Sequence, residues 1–240
     1  LNVTPDSFSD GGQFLLPEQA IDHARQMVEA GASIIDIGGE SSRPGAAPVT
    51  EKQQSARVVP VIEGLRTIFD DDVQLSIDAS DPEVAARAIA AGASMINDIT
   101  GGQSAEMLSL AASQNAAIVL MHMQGSPQVM QNAPKYVDVV AEIVEFLTQR
   151  AENAVSAGIP AAKVIVDPGI GFGKTRNHNL TILRQLEQIT AIGYPVMLGT
   201  SRKRFMGAIC RETAFDQLVG ATCATTALGV QAGATIFRVH

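Results

Sequence analysis

Asp167 closes an apolar, β-branched run (Val-Ile-Val, 164–166) and is followed by Pro168 and by glycines at 169, 171 and 173. A strand that ends abruptly in a carboxylate and a Gly-rich loop delivers an acid to a binding site, although a lone Asp-Pro-Gly serves as readily to cap a turn. Repetition separates the two readings. Other apolar runs end in Asn2, in Asp36 with Glu40, in Asp78, in Asn97 with Asp98, in His122, in Ser201 with Lys203, and in Arg238 with His240. Two chemistries are represented. Asp78, Asn97 and Asp167 suit the acceptance of hydrogen bonds from a planar, nitrogen-rich ring, because a carboxylate facing two N–H groups on one ring edge reverses the Arg–carboxylate fork. Lys203, Arg238 and His240, with Arg43 on a preceding loop, suit phosphate oxygens. Any one of these alone would more often be a cap or a solvated charge, and their recurrence on nearly every strand end gives the pattern its weight.

The elements that must position these residues follow a simple alternation. Glu-Ala-Gly-Ala-Ser (29–33), Ala-Ala-Gly-Ala-Ser (90–94), Ser-Ala-Gly-Ile-Pro (156–160) and Gln-Ala-Gly-Ala-Thr (231–235) each close a helical pattern and precede a β-branched run. Gly at that place ends a helix in the left-handed conformation, so the phrase is an internal helix-then-strand repeat. Strands are expected at 1–3, 33–38, 73–78, 94–99, 117–122, 163–167, 195–199 and 234–239, and helices at 17–30, 52–69, 81–91, 104–115, 136–157, 178–192 and 214–232. Pro17 with Glu18, and Asp81-Pro82-Glu83, are helix-start signals. Eight strands alternating with seven helices predict a single α/β domain over 1–240, a (β/α)8 TIM barrel. An open doubly wound sheet fits less well, for no G-x-G-x-x-G follows the first strand. In a barrel the strand C-termini form the active face, and side-chain alternation lets only one of Asn97 and Asp98 point into it.

Composition excludes several functions. A net charge of −8 argues against a nucleic-acid surface or a polybasic membrane patch. Two cysteines, Cys210 and Cys223, make neither a Cys-x-x-Cys nor a disulfide framework, which points to a reducing cytoplasm. No apolar run approaches the roughly 20 residues of a membrane span. The first residues read as the tail of a strand and the last as a strand with no helix after it, which predicts a piece of a longer chain. Gly-Ile-Gly-Phe-Gly-Lys-Thr (169–175) fails as a phosphate-binding P-loop because Pro168 stands where its first glycine belongs.

Seven stretches together resemble the dihydropteroate synthase family: Asn-Val-Thr-Pro-Asp-Ser-Phe-Ser-Asp-Gly-Gly (2–12), Gly-Gly-Glu-Ser-Ser-Arg-Pro-Gly-Ala (38–46), Ile-Asn-Asp-Ile (96–99), Met-His-Met-Gln-Gly (121–125), Asp-Pro-Gly-Ile-Gly-Phe-Gly-Lys (167–174), Ser-Arg-Lys (201–203) and Arg-Val-His (238–240). The likeness runs in order from end to end, and the first two motifs are the most specific. It implies an enzyme that joins 6-hydroxymethyl-7,8-dihydropterin pyrophosphate to para-aminobenzoate, with Mg2+, as a homodimer. Asp78, Asn97, Asp167 and Lys203 would hold the pterin, with Gly199 and Ser201 beside them. Arg238 and His240 would take the pyrophosphate, and Asn2 would ligate the metal. Met121 and Phe172 would pack on the rings, while Ser42, Arg43 and Pro44 would build the aminobenzoate pocket. Lys203, Asp78, Arg238 and His240 would be the catalytic set.

The chemistry of the residues agrees with that implication. Breaking a C–O bond to pyrophosphate builds negative charge on the leaving group, which cations stabilise, and an arylamine needs no Ser or Cys nucleophile. Ser42, Ala79 and Arg204 depart from the commoner family pattern and bear on aminobenzoate affinity and sulfonamide sensitivity. A pterin methyltransferase would not need the Arg238–His240 pair, and a non-catalytic paralogue would carry lesions at Asn2, Arg43, Lys203 or Arg238.

Overall fold

The structure, a computed structural model, describes residues 1–4, 17–40, 49–127, 129–131, 133–212 and 214–240, with Phe215 described by its backbone. The chain divides into two compact units, Leu1–Asp98 with Gly102–Ile118, and Ile99–Gly101 with Val119–His240.

The first unit is built from β1 (Ile34–Gly38), β2 (Gln74–Asp78) and β3 (Met95–Asp98), with α1 (Pro17–Glu29), α2 (Glu51–Arg66), α3 (Pro82–Ala90) and α4 (Ala105–Ser113). The strands pair in parallel, with Gly38 opposite Asp78 and Asp78 opposite Asn97. Ala117 begins β4 (Ala117–Met121) by donating its N–H to the carbonyl of Ser94. Ile35, Ile37, Leu75 and Ile77 are buried along the strands, as are Val58, Ile62 and Leu65 on α2. Each such side chain contributes about 1.5–3 kcal/mol by leaving water. The strand expected at 1–3 is a single parallel bridge, Asn2 to Gly38, made by Val3 N–H on Gly38 O (2.8 Å) and Gly38 N–H on Leu1 O (3.0 Å).

The second unit holds the end of β4, then α5 (Val139–Ser156), β5 (Val164–Asp167), α6 (Arg176–Arg184), α7 (Leu186–Thr190), β6 (Met197–Leu198), α8 (Arg204–Cys210), α9 (Val219–Gln231) and β7 (Ile236–Phe237). β5 follows the β4 end through His122 N–H on Asp167 O (2.9 Å), meets Val196 through Val166, and β6 pairs in parallel with β7. The helix-ending glycines of the repeat adopt the left-handed backbone as expected, at φ 104, 116, 101 and 90° for Gly31, Gly92, Gly158 and Gly233.

Several helices differ from expectation, and the one expected over 214–232 is α9 from 219, preceded by a 3-10 turn over 215–218. The segment expected to begin at 136 begins at 139, because the Asp138 carboxylate accepts the N–H groups of Val140 (3.0 Å) and Ala141 (3.1 Å) and caps the helix there. Tyr136 is thereby left outside it. The helix expected over 178–192 starts at 176 and breaks at Gln185, where φ is −117° and ψ 25°. No proline or glycine marks that break. α8 was not anticipated, since Ser-Arg-Lys (201–203) reads as loop, yet Phe205 and Met206 turn inward directly after it. An open apolar groove of about 590 Å³ lies in this unit, lined by Leu180, Leu183, Phe205, Ile209 and Leu228 among others.

Candidate active site

In the first unit the carboxylate of Asp36 gathers the strand ends. Ser76 Oγ donates to Asp36 Oδ1 at 2.7 Å and Asn97 Nδ2 to Asp36 Oδ2 at 2.9 Å. A carboxylate only accepts, so it must face the nitrogen of the Asn97 amide, which makes Oδ1 the end suited to a ring N–H. Parallel register places Asp36, Ser76, Asp78 and Asn97 on one face of the sheet. Asp98 lies on the other face. It is fully buried, and its Oδ2 accepts the N–H of Gly102 at 2.8 Å, a turn cap rather than a site residue. Glu40 is also structural in its observed contacts, accepting from Gln54 Nε2 at 3.0 Å and from the Val49 N–H at 3.2 Å. Asn2 Oδ1 and Asp78 Oδ2 both converge on Gly38, 3.5 and 3.8 Å from where a side chain there would begin.

In the second unit the centre is Asp167, 7% exposed at the end of β5. Its Oδ1 accepts the Gly169 N–H at 2.7 Å. Burial pushes its carboxyl above the usual range, opposed by that N–H and by the charges of Lys203, Lys174 and Arg238. Burial lowers Lys203 to about 8, with Asp167 opposing and Arg238 adding to the fall. One carboxylate is thus set among two lysines and an arginine, and burial lowers Lys174 as well, to about 7. Arg238 is set beside Asp167 by the β6–β7 pairing, its N–H donating to Leu198 O at 3.1 Å, and Gly199 lies against its Cβ. His240 packs on Ser201, Nδ1 to Oγ 3.0 Å.

The loop after Asp167 is held by its own carbonyls. The backbone oxygens of residues 169 to 173 each accept a side-chain donor: Lys174 on Gly169 and Phe172, Lys203 on Ile170, Gln131 on Gly171, and Tyr136 on Gly173. Lys203 also stands over the Phe172 ring, 4.4 Å from its centroid. Gly169 has φ +64°, and a Cβ on it would come within 2.0 Å of His122 O, so only glycine lets the loop lie this close to β4. Met121, 3% exposed, ends β4 with its side chain against Gly169.

Of the residues singled out from the sequence, Met121, Asp167, Phe172, Gly199, Ser201, Lys203, Arg238 and His240 fall in the second unit, and Asn2, Asp78 and Asn97 in the first. Ser42, Arg43 and Pro44 lie outside the described residues. Sequence reading missed Asp36 as the group that orients Asn97, and the loop clamps Gln131 and Tyr136. Asp36 carried a signal, an acid inside an apolar strand; Gln131 and Tyr136 carried none.

The family model for pterin binding enzymes matches residues 1–240. A dihydropteroate synthase of Synechocystis is 45% identical over 241 residues, covering 100% of this chain and 83% of its own length. The dihydropteroate synthase of Xanthomonas albilineans with 4-aminobenzoic acid is 43% identical, with a TM-score of 0.92 over 100% of this chain and 85% of that one. The same enzyme in complex with 7,8-dihydropteroate gives 39% identity and a TM-score of 0.88, over 100% and 85% of the two chains. The chain belongs to the pterin-binding enzyme family. Its fold class is the α/β (β/α)8 barrel expected from the alternation of elements.

Proposed function

We propose that the chain carries out the dihydropteroate synthase reaction, a transferase step in which the arylamine nitrogen of para-aminobenzoate bonds to the methylene of 6-hydroxymethyl-7,8-dihydropterin pyrophosphate. The C–O bond breaks with its electron pair leaving on pyrophosphate, the amine loses a proton, and 7,8-dihydropteroate is formed. The observation that carries this reading is the buried Asp167 among Lys203, Lys174 and Arg238. The relatives crystallised with 4-aminobenzoic acid and with 7,8-dihydropteroate support the same substrates.

Within that reaction Asp167 and Lys203 bind the pterin, and Phe172 and Met121 flank its ring or that of aminobenzoate, while Gly199 and Ser201 border the substrate. Arg238 and His240 grip the pyrophosphate and stabilise the charge that grows on it. Asp78 and Asn97 join the pterin-binding set through the sequence resemblance, which their acceptor chemistry supports. Ser42 and Arg43 serve aminobenzoate. Asn2 would hold Mg2+ with the Asp78 carboxylate nearby. The donor set suits that ion, for two hard oxygens converge beside Gly38 and Mg2+ can take its remaining oxygens from water and phosphate. When bound, Mg2+ supplies charge neutralisation to the leaving pyrophosphate.

The whole of 1–240 acts as one pterin-binding domain, in the cytoplasm, as a homodimer. No helix among the described residues is long and apolar enough to cross a membrane. The open apolar groove of the second unit is a surface of the kind that a like copy buries. A pyrophosphate-release assay tests the function. Release from the pterin diphosphate should require para-aminobenzoate, stop on chelation, and vanish with Asp167→Ala. Arg238→Ala should weaken the diphosphate substrate far more than the bare pterin alcohol. Wild-type levels of release from Asp167→Ala would refute the assignment of the ring to this carboxylate.

A further inference from the structure

Lys174, which sequence reading met only as the end of a failed P-loop, is 3% exposed and buried with four acceptors around its ammonium. Its Nζ lies 2.9 Å from Gly169 O, 2.9 Å from Phe172 O, 3.2 Å from His122 O and 3.0 Å from His122 Nδ1. An ammonium has donors only, so His122 must offer the lone pair of Nδ1 and carry its proton on Nε2. The imidazole is fixed from its other side, with its ring edge-on to Phe146 at 5.0 Å and tilted against Tyr136 at 6.0 Å. Lys174 thus joins the glycine loop, at Gly169 and Phe172, to the residue directly after the β4 strand, and no other described side chain is seen to donate to two of that loop's carbonyls.

What the loop carries is specific. Phe172 provides the ring on which Lys203 stands, and Ile170 provides the carbonyl that Lys203 holds. Gly171 lies so near that a Cβ on it would meet Lys203 Cδ at 2.9 Å. A loop displaced by even an ångström would therefore move the Lys203 ammonium relative to Asp167. Burying a long charged side chain for this purpose is costly unless its donors are all used, and here they are. We propose that Lys174 is a positioning residue for pterin binding: it latches the 169–173 loop to His122, and so fixes Phe172 and Lys203 against Asp167. This rests on the reading of Asp167 and Lys203 as the pterin-binding pair.

The acidic and basic groups facing the latch are Asp167 and Lys203, with Arg238 beyond them. Burial lowers Lys174 to about 7 and Lys203 to about 8, so a pH profile would not separate the two, and the test uses substrate discrimination instead. Lys174→Met keeps an unbranched side chain one atom shorter and removes the charge. With the full chain, the KM for the pterin diphosphate should rise about 10- to 100-fold, as for a misplacement of this size, and by clearly more than the KM for para-aminobenzoate, which Phe172 alone of the latched groups could touch. Hydrogen exchange of the amides in 169–173 should quicken, with the remaining amides unchanged. An unaltered pterin KM would overturn the proposal, and so would an equal rise in both KM values, which is the signature of general damage. If Lys174→Met does not fold, His122→Phe keeps an aromatic ring and removes one acceptor; a selective rise in pterin KM supports the latch, and no rise overturns it. A wild type that releases no pyrophosphate would refute the functional reading itself, and exchange at 169–173 would then still decide whether Lys174 holds the loop.

Discussion

His122 is half of the Lys174 contact, and its titration has a consequence for stability. Burial, and then the neighbouring Lys174 charge, lower the ring from 6.5 to about 3. The folded protein holds it neutral, while the unfolded chain takes up a proton as pH falls below about 6.5. Stability that is complete above that pH is therefore lost progressively towards about pH 3, by an amount on the order of a few kcal/mol. Urea midpoints recorded between about pH 7 and about pH 4 should fall steeply for wild type and more gently for His122→Phe. Equal slopes would mean that other groups dominate the acid limb. At this scale much was legible from sequence. Asp167, Asn97 and Lys203 each end an apolar run, and a polar residue there has few structural uses. Lys174 was not legible as a latch, because its contact with His122 spans 52 positions and neither residue type announces the other.

The elements that carry these residues were legible to the extent that local chemistry marks their ends. The helix-ending glycines, Asp81-Pro82 at the start of α3 and the Ser104 cap of α4 are all local signals. α5 shows where local pattern runs out. Apolar periodicity extends back to Tyr136, but the Asp138 carboxylate takes two backbone N–H groups and sets the start. The three residues excluded from the helix bring the Tyr136 hydroxyl onto Gly173 O at 2.8 Å, so the cap also serves the loop. Asp138→Ala should cost about 1 kcal/mol, as for other N-caps, with a fall of a few degrees in melting temperature by calorimetry. An unchanged transition would show that α5 is held by its buried face alone. The break at Gln185 and the whole of α8 left no mark in the sequence. Both are decided by what their apolar side chains meet, not by a turn residue.

For the molecule as a whole, composition set limits rather than function. A net charge of −8 argues against a nucleic-acid surface, and it also makes the basic groups around Asp167 conspicuous, since an acidic chain gathers positive charge at one place for a reason. The strand count pointed to the barrel although β6 and β7 are only two residues long, because helix-then-strand punctuation survives where strands are short. Association is the property least legible from sequence, for it depends on surface shape. Sedimentation equilibrium at micromolar concentration should give twice the chain mass of 25.2 kDa, and a single-chain mass would count against the homodimer.

The tight seating of the glycine loop also bears on how an inhibitor of this enzyme would age. A methyl group at position 169 would collide with the His122 carbonyl, and one at 171 would collide with Lys203; both positions also hold a backbone angle that other residues rarely adopt. A compound that leans on this loop would therefore leave the cell few viable ways to escape by substitution at the contact, since the changes that evade the drug would also dismantle the pocket.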